Sequence, residues 1–194
     1  CDVTSGIEIL EKFRDAIYNE RIFNLRCKPY MADTEENKKI FTSLSKSKYL
    51  IGSNKSSILK ISDGDYFLTQ VKKKHRYYIK QSQKSDLRWE VCIGNKMVKT
   101  FSFVYTKMKK HKGLSLPMID IGSFSKILNV NKDPEPRLFL YTGFEGNNPV
   151  TACVISILGN KAFYHYAAST ERSREISASY GMIYNLVTEL RRRS

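Results

Sequence analysis

The sequence has 194 residues, a formal net charge of +14, and 41% hydrophobic and 12% aromatic residues. That length can bury one large core or two small ones, and no stretch approaches the roughly 20 apolar residues of a membrane span. The surplus of cations favours phosphate-bearing partners (nucleic acid, nucleotide-linked substrates or an anionic membrane face), although a solvated lysine-rich surface accounts for it as well.

Ser5-Gly-Ile-Glu8 is a capping box opening a helix whose apolar face is Leu10, Phe13 and Ile17. Arg21–Arg26 reads as a short strand, Cys27-Lys-Pro29 as a break, and Asp33-Thr-Glu-Glu36 as the cap of a helix through Ile40, Phe41 and Leu44. Tyr49–Ile51 and Ser57–Ile61 read as strands. Asp63 or Asp65 opens one longer helix through Leu68, Val71, His75 and Ile79. Arg88–Ile93 is a strand, and Met97, Phe101, Val104 and Met108 mark a helix that Gly113 stops. Ile121, Phe124 and Leu128 predict a short helix before the loop Asn131–Pro136.

The last quarter is the most regular. Arg137–Phe144 reads as alternating apolar and polar residues, turns at Glu145–Pro149 and resumes as Val150–Leu158. Gly159-Asn160 is a two-residue hairpin loop, and Ala162–Ala168 is the next strand. Ile176, Tyr180, Ile183, Tyr184, Val187 and Leu190 then recur at helical spacing. Alternating strands and helices place the chain in the α/β or α+β class, with a boundary near Asp86 between a basic helix and the Trp89 strand. Cys1, Cys27, Cys92 and Cys153 show no paired spacing, so reduced thiols and a cytoplasmic setting are expected. No basic-then-apolar export segment opens the chain; a lipid-modified Cys1 is the lesser alternative.

Phe163-Tyr-His-Tyr-Ala-Ala-Ser169, a charged loop, and Ser177-Ala-Ser-Tyr-Gly-Met-Ile-Tyr184 resemble the second domain of the Fem-type peptidyltransferases, within the GNAT-like acyltransferases. Ala178 and Ser179 depart from the family's usual proline and asparagine. Asn24–Pro29, Ile58–Ser62 and Lys74-His-Arg-Tyr-Tyr-Ile-Lys80 are similar to earlier family segments, and Phe101–Gly113 to its helix ending in a basic residue and glycine. The resemblance implies a mixed sheet with an antiparallel meander and flanking helices. It implies the end of a first GNAT-like subdomain over 1–86 and a truncated second one over 87–194. It also implies that strands before Cys1 and after Arg191–Arg193 are missing, so that the chain is a fragment.

Lys73, Arg76 and Lys80 lie at i, i+3 and i+7 on one helix side, with Lys72, Lys74 and Lys84 around them and Tyr77 and Tyr78 between. Such a face suits a diphosphate or an RNA backbone, and equally a solvated surface. The resemblance assigns a basic residue of this helix to the phosphates of a sugar-nucleotide acceptor, which singles out Arg76. Lys107–Lys112 and Arg191–Arg193 sit where cations favour helix C-termini, a sufficient role for both. Along the third meander strand Tyr164 and Tyr166 are expected to face one way and His165 the other. Tyr164, Tyr166, Ser169 and Tyr180 join Lys73, Arg76, Tyr77 and Lys80 as expected substrate contacts.

His75, His111 and His165 have no metal-ligand spacing, and neither a Walker loop nor a Gly-x-Ser-x-Gly motif occurs, so no metal and no bound cofactor are expected. Acyl transfer to an amine needs a neutral amine, a close carbonyl and an oxyanion donor; no catalytic residue is assigned from the sequence. Arg172–Gly181 lacks the glycine pattern of an acyl-CoA pyrophosphate turn. The function the Fem resemblance implies is an aminoacyltransferase, moving an amino acid from aminoacyl-tRNA to a UDP- or lipid-linked muramyl-peptide precursor. It would work in the cytoplasm, with peripheral contact at the inner membrane face. An acyl-CoA-dependent N-acyltransferase of polysaccharide synthesis and a noncatalytic basic module for RNA or anionic membrane are the alternatives.

Overall fold

A computed structural model describes residues 66–123 and 136–193, with isolated positions between 7 and 61. Residues 1–58 and 59–194 form two compact units. In the first, Ile7, Glu8, Glu11, Lys12 and Asp15 are helical, as are Glu35 and Glu36, in agreement with the two capping signals. The strands expected at 21–26 and 49–51, and the apolar residues Ile40, Phe41 and Leu44, lie outside the described residues. Leu59 and Ile61, within the strand expected at 57–61, have no regular structure.

The second unit is built on four strands: β1 (Leu87–Cys92), β2 (Leu138–Glu145), β3 (Asn148–Leu158) and β4 (Lys161–Ser169). They pair in the order β1-β2-β3-β4, every neighbour antiparallel, so the expected mixed sheet is antiparallel throughout among the described strands. Its helices are α1 (Tyr66–Gln70), α2 (Lys73–Ser82), α3 (Gly94–Lys112), α4 (Glu171–Glu175) and α5 (Ala178–Arg193). Tight turns sit where glycine can take a positive φ, at Gly146-Asn147 and Gly159-Asn160. Gly113, at φ 61°, stops α3 while the Leu114 amide donates to Lys109 O at 3.0 Å.

Each face of the sheet is covered. On one, Met97, Phe101, Val104, Tyr105 and Met108 of α3 pack on Leu138, Leu140, Phe144, Ala152, Val154 and Ala168. On the other, Met182 and Leu186 of α5 pack on Phe139, Tyr141, Cys153 and Ile155. This corrects the alternating reading of β2: Leu138 to Phe144 are all buried, because both faces of an interior strand under two helices must be apolar or small. Gly143 is required there, since a Cβ would come within 2.7 Å of the Trp89 ring.

The long helix expected through Ile79 is two helices, broken at Val71-Lys72. No glycine or proline marks the break. The Arg76 guanidinium instead donates to Val71 O at 2.7 Å and Leu68 O at 3.4 Å, satisfying carbonyls that a continuous helix would have used. Cations at Lys72, Lys73 and Lys74 also oppose the dipole at the start of α2. Residues 121–123 begin a helical turn in which the Ser123 amide donates to Asp120 Oδ1 at 3.2 Å; Phe124, Leu128 and the following loop to residue 135 lie outside the described residues. Among the described residues no helix is long and apolar enough to cross a membrane.

Candidate functional site

A cavity of about 290 Å³ opens between the end of β4, the C-terminal turn of α3 and the N-terminus of α5. Its apolar wall is Met108, Ala167, Ala168, Met182 and Ile183, and its polar lining is Lys112, Tyr164, Ser169 and Ser179. The sequence produces it directly: Ala167-Ala168 are too small to fill the space between two helices that elsewhere bury methionine and leucine on the sheet. The N-terminus of α5 contributes the partial positive charge of its first turn. Ser177, at φ 56°, makes the sharp turn from α4 into that helix.

Four hydroxyls form a row beside the cavity. Thr151 Oγ1 and Ser169 Oγ are 3.1 Å apart, Ser169 Oγ and Ser179 Oγ 2.7 Å, and Ser179 Oγ and Ser173 Oγ 3.3 Å. Each hydroxyl both donates and accepts, so the row can reverse its direction when one end gains a partner. Thr170 begins α4, its Oγ1 accepting from the Ser173 amide at 3.3 Å, which fixes the far end of the row.

Tyr164 lines the cavity. Burial pushes its phenol above the ordinary tyrosine range, so the hydroxyl is protonated at neutral pH. About half of the residue (49%) still meets solvent. Tyr164 and Tyr166 do not share a face as expected. Val154 pairs with Tyr166 and Ile155 with Tyr164, leaving His165 as an extra residue in a β-bulge. Tyr164 therefore lies on the α5 side with Ile155 and Tyr166 on the α3 side with Val154.

His165 Nε2 lies 2.7 Å from Ser156 Oγ, and burial lowers the imidazole below the ordinary histidine range. Neutral His165 favours the fold, a contribution complete above about pH 6.5 and lost as pH falls through its lower folded value. A small drop in denaturation midpoint between pH 7 and 5 is expected, and His165→Gln should flatten that part of the profile.

The other expected contacts lie elsewhere. Lys73, Tyr77 and Lys80 share the exposed side of α2, whereas Arg76 folds back on α1. Tyr180 turns to α2 and stacks on Tyr78 at 4.8 Å, with His75 at 5.5 Å. The structure thus brings Tyr164 and Ser169 together, and adds Lys112, Ser173, Ser179 and Thr151, which sequence reasoning did not assign. The sequence signal for Ser173 and Ser179 is the density of hydroxyl residues between Ser169 and Ser179; Lys112 and Thr151 carry none.

The charged groups of α4 are engaged with neighbouring residues. Arg172 makes a fork with Glu145 at 2.7 and 2.9 Å and donates to Glu175 at 2.8 Å; its guanidinium holds the Glu145 carboxyl below the usual range. Arg174 donates to His111 Nε2 at 3.2 Å, and His111 Nδ1 lies 3.5 Å from Glu171. Cys92 and Cys153 are buried thiols whose titration burial pushes upward, which keeps both protonated. Among the described residues no three of His, Cys, Asp and Glu gather as a metal ion requires. Comparison of the chain with protein-family models finds no match, and comparison with curated proteins finds none either.

Proposed function

We propose that the chain is an acyltransferase of GNAT-like fold, of the Fem type, forming an amide between an aminoacyl group carried on tRNA and an amine of a cell-wall precursor at the cytoplasmic side of the membrane. The observation that carries this reading is the cavity at the junction of β4 and α5, where a small apolar wall meets a row of hydroxyls, a protonated phenol and a helix N-terminus. The antiparallel meander running into that helix supports the fold.

In the reaction the neutral amine attacks the ester carbonyl, the new C–N bond forms, and the C–O bond to the tRNA ribose breaks. The proton lost by nitrogen balances the one gained by the departing ribose hydroxyl. The oxyanion formed between these steps needs a donor, and the Tyr164 hydroxyl can supply it. Ser169 and Ser179 can hold the aminoacyl group, and the alanine wall accommodates its side chain. Arg172 and Arg174 are engaged with Glu145, Glu175 and His111, which argues against a pyrophosphate cradle at this turn and for tRNA over acyl-CoA as donor. The exposed Lys73, Tyr77 and Lys80 face is where the phosphates of a UDP- or lipid-linked muramyl peptide would bind.

The test is incubation of the chain with charged tRNA and UDP-linked muramyl pentapeptide, reading the amide by mass spectrometry, beside a binding titration of the same precursor. Product is expected, and Lys73→Ala with Lys80→Ala should weaken precursor binding by about 10-fold or more. Product from acyl-CoA alone transfers the assignment to a CoA-dependent N-acyltransferase. No product from either donor, with salt-sensitive RNA binding retained, leaves a noncatalytic basic module.

A further inference from the structure

From Lys96 to Met118 the chain holds six lysines and no carboxylate. Lys99, Phe103, Lys107 and Lys110 recur at i, i+4, i+8 and i+11, and so share the side of α3 turned away from the sheet. The segment after Gly113 lies against the same helix: the Tyr105 hydroxyl donates to Pro117 O at 3.1 Å and Lys109 Nζ to Leu116 O at 2.5 Å. Thus held, it leaves Leu114, Leu116 and Met118 at 40%, 43% and 49% exposure, and Phe103, on the side of α3 turned away from the sheet, is 44% exposed. The Lys107 ammonium stands 5.6 Å from the Phe103 ring centroid. Acids around α3 are engaged: Glu90 with Arg88 and Lys96, Asp120 with Ser123, and Glu171 lies 3.5 Å from His111.

Helix-dipole stabilisation accounts for Lys109, Lys110 and Lys112 in the last turn of α3. It does not account for Lys99 and Lys107 further back, nor for the exposure of four large apolar side chains on α3 and the segment after it. A single-stranded RNA surface would present several aromatic faces for stacking, and here leucine and methionine outnumber the one phenylalanine. Cations whose long stems flank a shallow apolar patch match the boundary of an anionic bilayer, where the apolar tips enter the acyl region and the ammonium groups meet headgroup phosphates.

We infer that the outer side of α3 and the segment 114–118 form a peripheral docking surface for an anionic membrane. The inference stands whether or not the chain transfers acyl groups.

The test is co-sedimentation of the full 194-residue chain with vesicles of phosphatidylglycerol and phosphatidylcholine, and with phosphatidylcholine alone. Partition into the anionic vesicles is expected, falling about 30-fold for Lys107→Gln with Lys110→Gln and about tenfold for Leu116→Ser with Met118→Ser. Lys84→Gln with Lys161→Gln, two exposed cations off α3, should leave it unchanged. All six positions are exposed, so the unfolding midpoint should stay in place. An equal loss from that control pair would reduce the effect to net charge and overturn the proposal. So would full binding by the Leu116/Met118 variant, or a chain that ignores vesicles yet retards single-stranded RNA through Lys107 and Lys110.

Discussion

Gly181→Ala should lower the stability of the chain by about 1–3 kcal/mol, although alanine is the better helix former by about 1 kcal/mol. Gly181 lies in the first turn of α5, where that helix crosses α2 and β1. A Cβ there would meet Ser82 Cβ at 2.9 Å and the Trp89 ring at 3.2 Å, and would run into Ser82 Oγ. None of these can retreat cheaply. Ser82 is buried and its hydroxyl donates to Ile79 O at 2.7 Å, while Trp89 stacks on Tyr141 with ring centroids 5.9 Å apart. The steric term therefore exceeds the propensity gain. Urea denaturation followed by circular dichroism would measure the loss, and adding Ser82→Gly should recover part of it. Recovery would place the effect at this crossing; a double variant as unstable as the sum of both changes would place it elsewhere.

The meander was legible because its turns need particular residues. Gly146 and Gly159 take the positive φ that glycine allows at no steric cost, as Gly113 does at the end of α3, and each sits where the apolar pattern changes. The break between α1 and α2 was not legible, because nothing local causes it: Val71-Lys72 would continue a helix, and the Arg76 guanidinium decides otherwise by capping Leu68 and Val71. The same contact engages one Arg76 nitrogen with the backbone of its own unit. Arg193 is a similar case. Its side chain is only 7% exposed, stands 4.6 Å over the Phe139 ring and donates to Glu189 at 2.8 Å, so one residue of an apparently solvated run belongs to the core.

At the site, Ala167-Ala168-Ser169 could be read from the chain as a strand ending in small residues, and the cavity follows from them. The placement of the tyrosines could not. Strand alternation puts Tyr164 and Tyr166 together only when neither strand carries an extra residue, and the bulge at His165 is a property of β3 and β4 paired. Tyr180 likewise obeys helical spacing, but Tyr78 and His75 on α2 draw its ring away from the cavity. Contacts made by residues distant in sequence decide each of these cases.

Under the proposed acyl transfer, Tyr164→Phe should reduce kcat for amide formation by about 10²-fold while KM stays within about twofold, the signature of a donor that matters once negative charge develops on the carbonyl oxygen. The phenol fits that task on two grounds. Its elevated titration keeps the proton in place at neutral pH, and it lines the same cavity as Lys112 and Ser169, where a substrate would sit. Losing one hydroxyl from a side chain half in solvent should leave the unfolding midpoint unchanged, which separates a catalytic effect from a structural one. Steady-state rates with charged tRNA and the muramyl-peptide acceptor, measured beside Ser169→Ala, would decide the role. Ser169→Ala should act mainly on KM, because it shortens the hydroxyl row that would hold the aminoacyl group. A Tyr164→Phe enzyme with normal kcat and raised KM would make the phenol a ground-state contact and move the oxyanion donor to another group at the cavity, with the Lys112 ammonium the next to test.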